Sequence, residues 1–353
     1  MSDFHQSNTL PLVLVQEIPL DCSSSDGSSA ATGGRIDHGT IDETNKLLFV
    51  SCLASNCVKV VDLFAGIVIC TITDSLSRPS GMVFVPKTGT LYVSNAGNDS
   101  ITSYRPADTD TAAGDRRSFV LADLLREFTD PDNLRYDIVS DLVYVGHDCG
   151  KITSINTNHK YVERQLVAEF EGHPEAFVVD NTSETIFVNV PQQRKVLVID
   201  IKGRSVSRSI DLPVGYTMNF ALALDMYHKL LFASCRAPAR CAVLCCETGK
   251  LVADEPTAVD VDDVIYEPNS RSVYFIGGEG TISCLRQSSR EVYSAPVSPP
   301  VRTSVGCRTG VFSVNRNRIF AFVPATTAAA ARVLCYEPQG EPSGTEAASS
   351  MYY

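Results

Sequence analysis

Residues 87–104 read KTGTLYVSNAGNDSITSY. A strand-like run, TLYVS, meets a polar turn, NAGND, and a second strand-like run, SITSY, follows. The aromatic centre of the first run is Tyr92. Equivalent anchors stand at Phe49 in KLLFVS, Tyr144 in DLVYVG, Phe187 in ETIFVN, Phe232 in KLLFAS, Tyr274 in RSVYFI and Phe320 in NRIFAF. Successive anchors are 43, 52, 43, 45, 42 and 46 residues apart. A repeat of that period dictates architecture before any finer reading does.

Each unit holds four short strand candidates. In the unit around Tyr92 they are GMVFVP, TLYVSN, SITSYRP and SFVLAD. β-Branched and aromatic residues fill the runs, and Gly, Pro, Asn and Asp punctuate them. No stretch carries the i, i+3, i+4 apolar spacing of a sizeable helix. Four strands per unit, seven times over, predict an all-β chain folded as a seven-bladed β-propeller of four-stranded antiparallel blades. Blades covered on both faces also explain strands apolar at consecutive positions, such as IVICTI. A β-sandwich pair or a barrel with chance periodicity is the competing fold.

A propeller must close, or two blade faces stay exposed. The last unit lacks a fourth strand, and LPLVLVQEI at 10–18 is a strand without a unit. The expectation is that this N-terminal strand completes the seventh blade. The propeller then spans 10–338. The serine-rich segment 21–34 is expected to be a mobile loop and 107–117 (ADTDTAAGDRR) an insertion. Residues 1–9 and 339–353 are expected to be disordered.

Composition limits the partners. The 353-residue chain is 44% hydrophobic and 20% charged, with a net charge of −11. That charge argues against nucleic acid, whose phosphates need clustered Lys and Arg. No apolar run has the ~20 residues of a membrane span. The N-terminus lacks the basic region of a signal peptide, so a cytoplasmic monomer is expected. Of the twelve cysteines none forms a CxxC pair. They read as buried reduced thiols. The alternative is a metal site or a redox pair, Cys245 with Cys246 or Cys52 with Cys57.

Eleven to thirteen residues ahead of each anchor lies the start of an innermost strand. These positions are His38, Gly81, Asn133, Glu175, Asn219, Asp263 and Thr309, with Asp37, Asp132, His173, Asp262 and Arg308 beside them. In a propeller they form one ring around the channel mouth. Loops between second and third strands open on the same face, including CRAPAR (Arg236 and Arg240) and GGEG (277–280).

His38, Asn133, Glu175, Asn219, Asp263 and Arg308 therefore frame a candidate ligand site. Arg236 and Arg240 could meet an anionic group bidentately, or simply be surface arginines. Glu175, Asn219 and Asp263 could offer oxygen ligands to a divalent cation such as Ca²⁺, with His38 or His173 as acid or base. A water-filled channel whose strand ends are capped by polar residues would show the same pattern without a ligand. GGEG has no helix after it and reads as a hairpin. The nucleophile elbow GxSxG and the zinc motif HExxH are both absent.

TLYVSNAGNDSITSY resembles the repeat core of YVTN-family β-propeller proteins. GRIDHGTID, RPSGMVFVP, DPDNLRYD, GHPEAFVVD with IFVNVP, CRAPAR, DVDDVIYEP and GGEG look like the corresponding segments of a bacterial subgroup, over roughly residues 35–336. The resemblance implies a seven-bladed, quinoprotein-like propeller; its members mostly lack an assigned activity. Many bacterial members carry an export signal that this chain does not show. The chain also has no tryptophan to stack on a quinone. The function expected is non-enzymatic binding of a small-molecule or protein ligand at the mouth. The alternatives are a metal-dependent hydrolase similar to the lactonase propellers and a protein-interaction scaffold using the rims and residues 108–117.

Overall fold

A computed structural model describes residues 10–20, 34–107, 118–158, 163–289, 292–294 and 299–339. Of the termini expected to be disordered (1–9 and 339–353), the expected mobile loop (21–34) and the expected insertion (107–117), all but residues 34, 107 and 339 lie outside these residues. Residue 339 is still tied in, its Gln339 N–H donating to the Pro11 carbonyl at 2.9 Å.

The strands form seven separate antiparallel sheets. Blade 1 runs Gly39–Asp42, Leu47–Cys52, Cys57–Asp62 and Ile67–Ile72, from the innermost strand outward. Blades 2 to 5 follow the same order over 79–126, 134–169, 177–211 and 217–256. Blade 6 begins with Val261–Glu267. Its third strand, Thr281–Ser289, pairs with both Val292–Ser294 and Val301–Arg302. Among the described residues there is no α-helix, and none could cross a membrane.

Closure is as the sequence predicts. Gly310–Ser313, Arg318–Val323 and Arg332–Pro338 are three strands of blade 7. The N-terminal strand Leu12–Pro19 is the fourth, paired antiparallel from Leu12↔Pro338 to Pro19↔Arg332. The first and last described strands are thus held in one sheet.

The repeat has a packing cause. Seven apolar clusters fill the seven blade interfaces, and each cluster contains one anchor. Phe49 packs toward blade 2, Tyr92 toward blade 3, and so on to Phe320, which closes blade 7 onto blade 1. All seven are at most 5% exposed. A large aromatic at this position in every unit fills the space between two twisted sheets.

A second regularity holds the opposite face. Seven residues ahead of six of the seven anchors, Asp42, Asp137, Asp180, Asp225, Glu267 and Ser313 close the turn between first and second strands; blade 2 has Val85 there. Asp225 accepts the N–H groups of Tyr227 and His228, both at 3.1 Å. Buried turn carboxylates of this kind satisfy backbone donors that the ladder leaves open.

Candidate functional site

The leading ends of the inner strands do converge. His38, just ahead of the inner strand of blade 1, places Nδ1 3.3 Å from Oδ2 of Asp263 in blade 6. Its Nε2 lies 3.8 Å from Asp37 Oδ1, and Arg35 pairs with the same Asp37 oxygen at 3.4 Å. Asp263 also accepts the Gly310 N–H of blade 7 at 3.0 Å. Both the His38 and Asp263 side chains are 17% exposed.

A β-bulge arranges blade 6. Its register shifts between Val261 and Asp263, so Asp262 is an extra residue on the inner strand. Neighbours on a regular strand point to opposite faces. The bulge re-aims the chain, and Asp262 and Asp263 both serve the mouth. Asp262 pairs with Arg236 Nη2 at 2.5 Å. Arg236 Nε reaches Asp260 at 3.1 Å, Asp260 in turn pairs with Arg308 at 3.1 Å, and the Arg236 guanidinium stacks 4.3 Å from the Phe220 ring centre. Phe220 is itself the extra residue of a bulge, between Asn219 and Ala221.

Burial and crowding set the charges. Burial disfavours a charged His38, but Asp263, Asp37 and Asp132 outweigh it and push its pKa up to about 10. Burial raises Glu175 to about 8, with Asp132 and Asp262 adding to the shift and Arg236 and His38 opposing it. Asp262 rises to about 6, again first through burial. Asp132 is raised by burial and by Asp37. Asp263 goes the other way: His38, with help from the Gly310 N–H and Arg135, overcomes burial and holds it low. Because blades 1, 3, 4, 5 and 6 act on one another in this way, their charges share one space.

Other ring positions have structural tasks. Asn219, fully buried, donates to Asn189 Oδ1 at 3.1 Å and to the Lys195 carbonyl at 3.0 Å, tying blade 5 to blade 4. Its buried Oδ1 accepts no hydrogen bond among the described residues. Thr309 donates to the Asp37 carbonyl at 2.6 Å, tying blade 7 to blade 1. Gly81 is glycine because a Cβ there would lie 2.1 Å from the Asp132 carbonyl oxygen. Asn133 is buried and donates to Asp132 at 3.0 Å.

Two arginines differ from expectation. Arg236 is at the mouth but is matched by Asp260 and Asp262, so it is no surplus cation. Arg240 stays within blade 5, bonded to Asp254 and Tyr216 Oη; none of these partners belongs to the mouth cluster. His38 is held as a cation between carboxylates and is not a base at neutral pH. His173 turns Nδ1 to the Asp148 carbonyl at 2.9 Å. Among the described residues no three His, Cys, Asp or Glu side chains are grouped to hold a metal.

Sequence reasoning missed Arg35, Arg135 and Asp260. Arg135 lies beneath the mouth against the Phe177 ring, its pKa lowered by burial despite Asp263 and Asp132. Its signal was the strand period: two residues past Asn133, it shares that residue's face. A separate groove, bordered by Phe170, Gln193, Leu197 and Arg208 between blades 3 and 4, contains none of the ring residues.

No family model and no curated protein matches the chain. Solved structures do. One is hydrazine synthase of Kuenenia stuttgartiensis, at 15% identity and a TM-score of 0.68, with 85% of this chain and 95% of that chain covered. At that identity the likeness shows the propeller fold and nothing finer. It is one of 1679 similar solved chains, and a fold shared so widely selects no activity.

Proposed function

We propose that this propeller is a non-enzymatic binding protein whose channel mouth takes a small polar ligand through a cationic or hydrogen-bond-donating group. One observation carries the reading. Among the described residues nothing donates a hydrogen bond to the Glu175 carboxyl, which stands beside Asp132 and Asp262 with its proton retained to about pH 8. A carboxyl crowded by like charges is relieved by a bound cation. An ammonium or guanidinium group seated there replaces the proton, so binding strengthens as pH rises.

The hydrolase alternative has no specific support: among the described residues no three His, Cys, Asp or Glu side chains are grouped to hold a metal, and His38 is held protonated between carboxylates. The test is calorimetric titration of the full chain with methylammonium, putrescine and spermidine at pH 6 and pH 8. The reading expects saturable binding of at least one amine, tighter at pH 8 and abolished in a folded Glu175→Gln variant. It fails if no amine binds at pH 8, if Glu175→Gln binds equally well, or if only a stable protein partner is recovered. That last result would favour the interaction-scaffold reading.

A further inference from the structure

Cys52 and Cys57 end the second strand of blade 1 and begin the third, and they face each other directly in the ladder. Only the short turn Leu53–Ser55 and Asn56 separates them. Directly opposed antiparallel residues have Cα atoms about 4.5–5.5 Å apart, inside the roughly 4.4–6.8 Å window of a disulfide. Neither is in a disulfide. They touch, the Cys52 thiol hydrogen-bonding to the Cys57 sulfur.

We propose that Cys52 and Cys57 form a modification site, a paired dithiol that a small two-electron oxidant such as a peroxide closes to a cross-strand disulfide.

Three features single out this pair. The Cys52 hydrogen bond lowers the Cys57 pKa, and Lys59 assists against burial; Lys59, two residues on along the strand, donates to Thr71 Oγ1 at 3.1 Å. A thiolate is the species that attacks a peroxide. The thiols are 2% and 4% exposed, yet they lie directly beneath a turn whose Ala54 and Asn56 are exposed. Among the described residues no other two cysteines face each other in a ladder. Cys245 and Cys246 are sequence neighbours, and Cys246 is pushed up to about 12 by burial. Cys235 and Cys241 pack into different interfaces.

The chemistry balances. The Cys57 thiolate attacks one peroxide oxygen, the O–O bond breaks, and hydroxide leaves as the sulfenic acid forms. The Cys52 sulfur then attacks the Cys57 sulfur; its proton and the sulfenic hydroxyl leave as water. Two thiols lose two electrons, and one peroxide is reduced to two waters.

The reduced full chain is exposed to hydrogen peroxide under native conditions, alkylated and digested with trypsin. Cleavage after Lys46 and Lys59 releases residues 47–59, which contain both cysteines and no other. The expected result is that this peptide becomes two hydrogens lighter and resists alkylation, ahead of any change at Cys241 or Cys284, and reverts with dithiothreitol. In Cys52→Ser the two-hydrogen loss vanishes and Cys57 carries a sulfenic acid that a dimedone probe captures. The proposal is overturned if peptide 47–59 stays reduced while exposed Cys149 is fully oxidised, or if either thiol links elsewhere. The wild-type measurement decides the matter even if the serine variant does not fold.

Discussion

His38 and Asp263 are 225 positions apart in the chain, yet His38 Nδ1 and Asp263 Oδ2 lie 3.3 Å apart. Only a closed ring brings blade 1 against blade 6 across the start of blade 7. The contact also fixes charge. The imidazole is held protonated and the carboxylate ionised, while Glu175 and Asp262 nearby hold their protons longer than usual.

Stability should therefore fall as pH rises from about 6.5 into the alkaline range. The raised His38 pKa contributes stability that is complete below 6.5 and is lost as pH climbs through about 10. Glu175 is neutral in the folded chain while it ionises unfolded, which removes stability between 4.5 and about 8. Asp262 acts likewise between 3.8 and about 6. Asp263, held low, opposes them only below its ordinary value of 3.8. Burial lowers His147 to about 4, which adds stability as pH rises from about 4 to 6.5, so melting curves of wild type should move down steadily above pH 6.5. Those of Glu175→Gln should be flatter below pH 8 and higher than wild type near it. A wild-type midpoint that rises between pH 6.5 and 10 would refute the charge assignment.

Phe232→Ala should remove about 3–5 kcal/mol in urea unfolding, the range for a fully buried aromatic. Phe232 is 0% exposed and stacks 5.9 Å from Tyr266 between blades 5 and 6. Phe64, 83% exposed, is the control, and Phe64→Ala should stay within about 0.5 kcal/mol.

Ile18→Ala tests the N-terminal strand. Ile18 is fully buried in the cluster that joins blade 7 to blade 1, so the loss should reach about 2–5 kcal/mol. Val13 on the same strand is 44% exposed, and Val13→Ala should change little. Equal, small effects at both positions would mean that the strand is not part of the closed sheet in solution.

Asn219→Ala should lower stability by about 1–3 kcal/mol, because it strands the buried Asn189 oxygen and the Lys195 carbonyl. Amine binding at the mouth should be unchanged. A variant of full stability that loses binding would return Asn219 to the site.

The fold was legible because each blade interface needs its own aromatic, which imprints a period on the sequence. The terminal strand was legible because a missing fourth strand must be supplied from somewhere. The mouth was legible only as a ring of positions. Which side chains face inward depends on bulges at Asp262 and Phe220, and a bulge leaves no mark in the alternation of polar and apolar residues. Gly81, Asn219 and Thr309 were taken up by contacts between blades, which one sequence does not display. The pairing of Arg236 with Asp260 and Asp262 joins residues of neighbouring blades, so a count of arginines on a loop overstated its free positive charge. The turn carboxylates seven residues before most anchors stand in the sequence, but an acidic residue at a turn reads alike whether it caps backbone N–H groups or faces solvent.

Nuclear magnetic resonance titration of the His38 imidazole, assigned through His38→Gln, tests the ring and its charged mouth most directly. The ring should titrate at about 10 in the wild-type protein and fall toward the ordinary histidine value in Asp263→Asn. A His38 that titrates near 6.5 in wild type, unmoved by Asp263→Asn, would contradict the convergence of distant blades on one charged opening.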